Sequence, residues 1–501
     1  MSSLAHFSGP WKSKLQREAL LQKSSLDHFP AYPLHDPTSL VTSSQPVAFE
    51  LGTGASIYTN SLLPALCEAK HEVILVTCFW ARSSTLDALS HAIHSLAEHR
   101  RQHIQAQATA GPDADAVPTL KIRICFSSRS LFQKLFHTTS KDGYLYPPAS
   151  WPEKLGLPSQ HALRAGNIDL QVKSLFFLPF CVMHPKFLIV DRQRAWLPSC
   201  NVSWEPWLEG CISFTGDAVA GLAQFYEAVW ARDQRLDEPL PTPNHRGNAA
   251  HSPSTAQLGL TAIQSPARLF VTLDSTQVPT VILPSSHHRN PRFQPFPWQN
   301  APATPPTPLN CAVLRLLDMA EDTIYMQTPN LTSAAVIDGL MDALNRGVNV
   351  TIVTSKNMML IEQIVTAGTT TSLCVKSLVK RYRQNRESGQ RRRQAHAQSS
   401  DHGIDLEAQR HHTGSLQISY YHPRQANMSR HVTEEPVQSH LKLTIVDGQY
   451  TVLGSGNMDR ASWFTSQELG VLFQSVDLAS RVSSTVAEVL EGRTETLYRS
   501  D

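Results

Sequence analysis

The chain has 501 residues, which predicts about two to four domains, each large enough to bury a core of its own. Apolar residues make up 41% of the sequence and charged residues 17%, a balance that excludes a wholly disordered chain and a fibrous one. With 44 basic and 42 acidic residues the formal net charge is +2, which disfavours a globally basic nucleic-acid-binding protein.

The cysteines and the apolar runs bear on the compartment. The eight cysteines form no Cys-x-x-Cys pair, so we expect neither a zinc knuckle nor a disulfide framework, and a reducing compartment such as the cytoplasm is favoured. No apolar run is long enough for a transmembrane helix, and the N-terminus lacks the apolar core of a secretory signal. Targeting to an organelle stays open.

Three segments differ in composition from the rest. Residues 237–265 and 284–308 are rich in Pro, Ser, Asn and His, and their prolines remove backbone donors, so both are expected to be linkers or long loops. Residues 380–413 carry many polar and basic side chains and few large apolar ones, which predicts an irregular stretch.

Between these segments one pattern of helices and strands occurs twice. The repeated elements are helices at 83–100, 216–232, 333–346 and 475–493 and strands at 121–126, 168–175, 348–354 and 415–421. Asp217 and Ser475 are the expected N-caps of the two closing helices. The alternation predicts two α/β domains, each with a sheet covered by helices.

These observations divide the chain into five segments. They are an N-terminal extension (1–45), a first lobe (46–235), a linker with a Pro-rich loop (236–308), and a second lobe (309–495) that contains a basic insertion (376–413).

The strongest chemical signal is a motif present once in each half. The segments VMHPKFLIVDRQRAWLPSCNVS and QSHLKLTIVDGQYTVLGSGNMD both contain His-x-Lys-x4-Asp followed, six residues later, by x-Ser-x-Asn. The motif residues are His184, Lys186, Asp191, Ser199 and Asn201 in the first copy and His440, Lys442, Asp447, Ser455 and Asn457 in the second. No other His-x-Lys pair occurs in the sequence, so two matching copies are not a chance event.

The spacing within the motif has a structural meaning if the segment is a strand. His and Lys are two residues apart and would share a face, whereas Asp lies an odd number of residues beyond His and would point the other way. We therefore expect Asp191 and Asp447 to brace the turn after the strand. Pro185 cannot donate to a ladder, which suggests an edge or a bulge at this point.

The residue types suit an anionic phosphoryl centre. An imidazole can attack phosphorus or move a proton near neutral pH, while Lys and Asn donate to the non-bridging oxygens as charge builds up. Two facing sets would supply both a nucleophile and an acid.

The duplicated motif resembles the signature of the phospholipase D superfamily, in which each His-x-Lys-x4-Asp is followed by Gly-Ser-x-Asn. HLKLTIVDGQYTVLGSGN matches in full, whereas Pro198 replaces the Gly before Ser199 in the first copy. The resemblance covers about residues 45–235 and 265–495. It implies two similar α-β-α sandwich lobes with pseudo-two-fold symmetry and an active site at the seam between them.

The resemblance also implies a mechanism and two further site residues. One His becomes a phosphohistidine, expected at His184, and the other, His440, protonates the leaving alcohol. Glu209 and Glu468 occupy the places of the acidic residues that orient the two imidazoles. Neither a metal nor another cofactor is implied.

Two features bear on the substrate. The aromatic residues Trp204, Trp207, Trp463 and Phe464 lie between the Asn and the Glu of each copy, where they either pack in the core or form an apolar wall for the substrate. Residues 376–393 contain eight basic residues against one acid, which is expected in a solvated loop, at an anionic membrane or on a nucleic-acid backbone.

The interpretation favoured by these observations is a phosphodiesterase or phosphatidyltransferase that acts on glycerophospholipids, with peripheral membrane contact through 376–393. The alternatives are a nuclease and a catalytically silent lipid-binding scaffold.

Overall fold

The structure is a computed structural model that describes residues 2–21, 36–110, 117–137, 142–177, 181–231, 259, 262–286, 303–399, 413–424 and 435–500. Parts of the expected linkers and of the basic insertion, at 237–258, 260–261, 287–302 and 400–412, lie outside these residues.

The first half of the chain supplies seven helices and eleven strands among the described residues. In chain order they are α1 (Ser2–Leu21), β1 (Val41–Thr53), α2 (Gly54–Ile57), α3 (Leu63–Cys67), β2 (Glu72–Phe79), α4 (Ser84–Ala110), β3 (Leu120–Ser128), α5 (Leu131–Phe136), β4 (Tyr144–Leu145), α6 (Gln160–Ala165), β5 (Ile168–Ser174), β6 (Phe176–Phe177), β7 (Cys181–Val182), β8 (Phe187–Val190), β9 (Arg194–Pro198), β10 (Trp207–Thr215), α7 (Asp217–Trp230) and β11 (Leu269–Thr272).

The second half supplies the remaining described elements. They are β12 (Val278–Ser285), α8 (Pro308–Met319), β13 (Thr323–Thr328), α9 (Ala334–Asn345), β14 (Asn349–Thr354), α10 (Leu360–Ala367), α11 (Thr371–Ser399), β15 (Leu416–Tyr421), β16 (Gln438–Ser439), β17 (Leu443–Val446), β18 (Tyr450–Gly454), α12 (Arg460–Phe464), β19 (Glu468–Gln474), α13 (Val476–Leu490) and β20 (Thr494–Arg499).

The two sheets have the same strand order. In the first lobe the order is β1-β10-β9-β8-β2-β3-β5, in which only β2-β3 and β3-β5 are parallel pairs. In the second lobe it is β12-β19-β18-β17-β13-β14-β15, again with only the last two pairs parallel. The expectation of two similar α/β lobes related by pseudo-two-fold symmetry is thus confirmed.

Backbone pairing and a shared core join the two lobes. The first residues of β1 pair with β12, and β10 pairs with β16. One apolar cluster runs through both halves, and in it Phe214 of β10 meets Phe473 of β19 edge to face, with ring centroids 5.8 Å apart. A shared core of this kind makes the seam between the lobes a fixed part of the fold.

The expected linker at 236–308 is wrong over residues 269–285, which form β11 and β12. β12 is the second-lobe counterpart of β1, and its two prolines hid it from the sequence analysis. Pro279 pairs only with Ser43, and Pro284 pairs only with Leu469, so each proline has a neighbouring strand on one side alone. A proline is tolerated in a strand at such one-sided positions because its missing N–H can face away from the ladder.

The expected irregular stretch from 380 is also wrong in part, because α11 continues to Ser399. Val375, Leu378 and Tyr382 are buried along one face of this helix, and Tyr382 donates a 2.8 Å hydrogen bond to the carbonyl oxygen of Gly414. The basic side chains that fill much of the rest of α11 have long aliphatic stems and are good helix formers, so a few buried anchors are enough.

The two closing helices differ in how their N-termini are capped. Ser475 caps α13 by accepting from the Leu478 N–H, as predicted, but Asp217 is the first residue of α7 and not its N-cap, which is Gly216.

All eight cysteines are described, and no two of them form a disulfide. Among the described helices none is both long and apolar enough to cross a bilayer.

The N-terminal segment is not a detached extension. Phe7, Trp11 and Leu15 of α1 are buried, and the indole Nε1 of Trp11 donates a 3.0 Å hydrogen bond to the carbonyl oxygen of Pro308, the first residue of α8. The helix α1 therefore packs on the second lobe, although in sequence it precedes the first lobe.

Replacing Trp11→Ala should lower the free energy of unfolding by about 3–5 kcal/mol, because it removes a large buried side chain and its hydrogen bond. Thermal or denaturant unfolding measures this loss. Gln16→Ala, at an exposed position of the same helix, is the control and should change stability by less than about 0.5 kcal/mol. Equal stability of the two variants would show that α1 does not dock.

Candidate active site

Both motif histidines lie where the two lobes meet. His184 lies three residues before β8, which runs antiparallel to β2, so it lies at the carboxyl edge of the parallel strands of its sheet. His440 holds the same place before β17, which runs antiparallel to β13. Ligand sites in α/β sheets form at this edge.

Backbone hydrogen bonds carry each histidine into the opposite lobe. The His184 N–H donates to the carbonyl oxygen of Gln467 at 2.9 Å, and the His440 N–H donates to that of Leu208 at 2.8 Å. Gln467 and Leu208 directly precede Glu468 and Glu209 in the chain. Each histidine is therefore held next to the glutamate of the other lobe.

The side chains follow the same crossed arrangement. Nδ1 of His184 lies 2.8 Å from Oε2 of Glu468, and Nδ1 of His440 lies 2.8 Å from Oε1 of Glu209. A carboxylate at Nδ1 holds the proton on that nitrogen and leaves Nε2 as the reactive atom. No described residue forms a hydrogen bond with Nε2 of either imidazole.

The motif serines fix the glutamates. Ser199 donates to Glu209 and Ser455 to Glu468, and each serine oxygen also accepts from the backbone N–H that follows its glutamate, at 2.9 and 3.0 Å. Ser462 donates a further 2.7 Å bond to Glu468. The motif serines therefore act on the imidazoles indirectly, through the orientation of the carboxylates.

The pKa values of the glutamates fit this role. Burial acts to raise the pKa of Glu209, but the interaction with His440, the charge of Lys442 and the bond from Ser199 hold it below its usual value. For Glu468 the interaction with His184 and the serine hydroxyls likewise outweighs burial and lowers its pKa. Both carboxylates are consequently charged at neutral pH.

Burial keeps both imidazoles neutral. Burial lowers the pKa of His440 to about 3 against the attraction of Glu209, and burial lowers the pKa of His184 against the attraction of Glu468. Each neutral ring then carries its proton on Nδ1 and presents a lone pair on Nε2. An anionic ligand would favour protonation of one of them.

The two lysines concentrate positive charge beside the histidines. Nζ of Lys186 donates to the carbonyl oxygen of His184 at 2.9 Å, and Nζ of Lys442 donates to that of His440 at 2.6 Å. Burial lowers the pKa of Lys442 to about 7; the attraction of Glu209 opposes this shift and the repulsion of Lys186 adds to it. Two buried lysines, one beside each histidine, favour a bound anion.

The two asparagines differ in their surroundings. Oδ1 of Asn201 accepts from the Phe79 N–H at the end of β2, at 3.3 Å. Nδ2 of Asn457 donates to Asp459 at 3.1 Å, while its Oδ1 is buried and has no hydrogen-bond partner among the described residues. The pseudo-symmetry of the site is therefore incomplete at this position.

The motif aspartates lie outside the site. The carboxylate of Asp191 accepts from the backbone N–H groups of residues 70–72, and that of Asp447 accepts from those of residues 321–323. Each aspartate follows its strand at the amino edge of the parallel strands, about 20 Å of chain from its histidine. Both hold the turn that leads into a neighbouring strand, β2 or β13.

The strand geometry used for the motif holds only for its second part. Residues 184–186 and 440–442 belong to no strand; the strands begin one residue after each lysine. The backbone leaves its own sheet here because it bonds to the opposite lobe, so the bulge suggested by Pro185 is a crossing segment.

The four aromatic residues near the motifs divide into three environments. Trp463 and Phe464 are buried in the core, as the packing alternative predicts. The ring of Trp207 lies 4.8 Å from that of His440 and covers it, whereas Trp204 is exposed and packs edge to face on Phe79. Trp207 therefore lines the site itself.

Two residues near the site were missed by the sequence analysis. Asp459 is fully buried, caps α12 through Ser462 and has a pKa raised by burial. Glu362 of α10 has a pKa of about 7, raised by burial and by Asp459. Asp459 directly follows the GSGNM segment and could have been noticed there, whereas nothing in the motif pointed to α10.

Residues 313–490 match the family described as cardiolipin synthase, PLD-like domain. The second lobe is therefore a phospholipase D-like domain, and the resemblance to the phospholipase D superfamily is confirmed.

Three solved structures that match parts of this chain are the following. The phosphatidylserine synthase of Haemophilus influenzae Rd KW20 matches at 12% identity over 91% of this chain and 90% of that one, with a TM-score of 0.48. The phospholipase D family member Nuc from Salmonella typhimurium matches at 17% identity over 38% and 91%, with a TM-score of 0.25. The polyphosphate kinase of Porphyromonas gingivalis matches at 10% identity over 85% and 44%, with a TM-score of 0.40. The comparison with curated proteins returned no match.

Sulfate, whose charge is constant between pH 6 and 9, should bind this site more weakly as the pH rises. Above about pH 7 Lys442 is neutral in the empty site and must take up a proton to hold the anion, so the Kd should rise by up to about tenfold per pH unit. Isothermal titration calorimetry measures this dependence.

The matched variants are Lys442→Arg, which keeps its charge throughout, and Lys380→Arg, at an exposed position on α11. The first should flatten the pH dependence and the second should leave it unchanged. A sulfate affinity that is independent of pH in the wild-type protein would contradict the charge state derived for Lys442.

Proposed function

We propose that this protein is a phosphodiesterase or phosphatidyltransferase that acts on glycerophospholipids through a phosphohistidine intermediate. The observation that carries the proposal is the pair of crossed His–Glu contacts, each 2.8 Å long, with a buried lysine beside each histidine. A fold that only needed stability would have little use for two buried His–Glu pairs with a lysine beside each.

In the first step Nε2 of one histidine attacks the phosphorus atom. The P–N bond forms as the P–O bond to the leaving alcohol breaks. The second histidine, which takes up a proton at Nε2 when the anionic substrate binds, gives that proton to the leaving oxygen. Lys186 and Lys442, when protonated, stabilise the charge on the non-bridging oxygens, because both side chains are already fixed by hydrogen bonds before the substrate arrives.

In the second step water or another alcohol attacks the phosphohistidine. The second histidine, now neutral at Nε2, removes the proton of the attacking hydroxyl, and the P–N bond breaks. Glu209 and Glu468 stabilise whichever imidazole becomes charged. We assign the nucleophile to His184 and the acid to His440, on the resemblance to the superfamily.

The lipid substrate is supported by the family match and by the surroundings of the site. The matching family is described as a cardiolipin synthase. Trp207 covers one imidazole, and Trp204, exposed beside Phe79, adds apolar surface at the end of β2. An apolar wall beside an anion site fits a lipid with a phosphate headgroup.

The nuclease and the silent scaffold remain as outcomes of the test. A nuclease is motivated by the basic residues of α11, but the overall charge of +2 gives little general attraction for a polyanion. A scaffold would not need the crossed pairs or the two lysines.

The test incubates the full chain with mixed phospholipid vesicles and a primary alcohol, and identifies products by mass spectrometry. The wild-type protein should form phosphatidic acid or a phosphatidyl-alcohol, and His184→Ala and His440→Ala should each lower the rate by at least about a thousandfold. Peptide mapping of the quenched reaction should find the phosphoryl adduct on His184.

His94→Ala, at an exposed position on α4, is the matched control and should keep full activity. Cleavage of DNA or RNA by the wild-type protein with no change in any lipid would replace the lipid proposal with the nuclease. If the wild-type protein consumes neither lipid nor nucleic acid and forms no phosphoryl adduct, the scaffold is favoured.

A further inference from the structure

The helix α10 exposes its apolar residues and buries polar ones, which is the reverse of an ordinary surface helix. Its apolar residues Leu360, Ile361, Ile364 and Val365 are exposed, with Ile361 at 81%, while its polar residues Gln363 and Thr366 are buried. Met359, directly before the helix, and Leu373, at the start of α11, extend the exposed apolar surface. We call these six residues the apolar rim.

Polar anchors hold α10 in this orientation. The amide of Gln363 accepts from the backbone N–H of Thr371 and donates to the carbonyl oxygen of Met358, both at 2.6 Å. Arg460 of α12 donates to the carbonyl oxygen of Thr366 at 3.0 Å. Rotating the helix to bury its apolar face would break these bonds, so the exposed face belongs to the native fold.

The apolar rim lies at the edge of the sheet that carries the active site. α10 follows β14 just as α5 follows β3, and both strands end at the carboxyl edge of the parallel strands. α10 also packs on α12, whose N-cap Asp459 accepts a 3.1 Å hydrogen bond from Asn457 of the site.

The first lobe adds exposed aromatic rings at the same edge. Phe136, at the end of α5, is 61% exposed, and Trp204, against Phe79 at the end of β2, is 60% exposed. Both lobes therefore present exposed apolar side chains at the carboxyl edge of their parallel strands, the edge at which the motif histidines lie. Contiguous exposed apolar surface of this kind marks a site of contact with another phase or molecule.

A row of positive charge begins where the apolar rim ends. Lys376, Lys380 and Arg383 are exposed on α11 at spacings of four and three residues from Leu373 onward, so they lie on the same face of the helix. Apolar side chains next to a basic row are complementary to an anionic bilayer, in which acyl chains lie beneath negative headgroups.

We propose that the apolar rim and the basic row of α11 form a docking surface that inserts into an anionic phospholipid bilayer and places the active site at its headgroups. This proposal rests on the proposed lipid activity, but binding of the protein to a bilayer can be measured independently of lipid turnover. The notion of membrane contact through 376–393 alone is thereby changed, because the apolar residues of α10 supply the insertion.

The test measures binding of the full chain to vesicles by flotation, with neutral phosphatidylcholine and with phosphatidylcholine containing about 30% phosphatidylglycerol. The wild-type protein should bind the anionic vesicles. The variant Ile361→Asp with Ile364→Asp should bind at least about tenfold more weakly, and Lys376→Glu with Lys380→Glu should lose the preference for anionic vesicles.

Two control variants match these changes elsewhere on the surface. Val476→Asp replaces an exposed apolar residue at the start of α13, which packs on β11, β1 and β18. Lys70→Glu with Lys121→Glu reverses two exposed charges at the opposite edge of the first sheet, where β2 and β3 begin. Both controls should bind vesicles as the wild-type protein does.

Three outcomes would overturn the docking surface. The first is binding by the Ile361/Ile364 variant equal to that of the wild type, and the second is no binding of the wild type to either vesicle. The third is a wild-type dimer that the variant dissociates in sedimentation analysis, because the apolar rim would then be an interface between copies of this chain.

A short-chain phospholipid dissolved as monomers separates this proposal from the proposed function. Its turnover should change by less than about twofold in the Ile361/Ile364 variant, whereas turnover of vesicle lipid should fall with binding. Vesicle binding without any turnover of lipid by the wild type would leave the docking surface standing and contradict the lipid activity.

Discussion

The contact on which the rest of this site depends is the hydrogen bond between each imidazole and the glutamate of the opposite lobe. Neither lobe can orient its own histidine, because the carboxylate that does so comes from the other half of the chain. The backbone bonds from His184 to Gln467 and from His440 to Leu208 set the same relation at the level of the main chain. One site therefore requires both copies of the repeat, held in a fixed relation.

That fixed relation has an energetic reason. The site keeps two carboxylates, two imidazoles and two lysines away from water, and burial lowers the pKa of Lys442 to about 7 and that of His440 to about 3. Such groups are tolerated when they are paired, and the seam supplies the His–Glu hydrogen bonds from both lobes. The resulting donors are in place before a phosphodiester arrives, so little reorganisation is needed as charge builds on its oxygens.

The sequence analysis recovered the parts of the structure that have a local signal. The duplicated motif and the repeated periodicity predicted two α/β lobes. Asp191 and Asp447 were expected to brace the turn after the motif strand; each does brace a turn, but it is the turn that leads into β2 or β13, and the strand on which the spacing argument relied begins only after the lysine. The crossing of Glu209 and Glu468 had no local signal, because their spacing from the motif is the same whichever lobe they serve. β12 was missed because its prolines occupy one-sided positions that only the pairing reveals. The exposed apolar face of α10 was missed because apolar residues at helical spacing ordinarily predict a face that is buried in the core.

The central claim, that each glutamate acts on the histidine of the other lobe, is tested most directly by double-mutant cycles on the free energy of unfolding. Glu209→Gln and Glu468→Gln are each combined with His184→Gln and with His440→Gln, and denaturant unfolding gives the coupling of all four pairs. The account predicts coupling of about 1–3 kcal/mol for 184 with 468 and for 440 with 209, and less than about 0.5 kcal/mol for the two pairs within a lobe. Stronger coupling within each lobe than across the seam would contradict it.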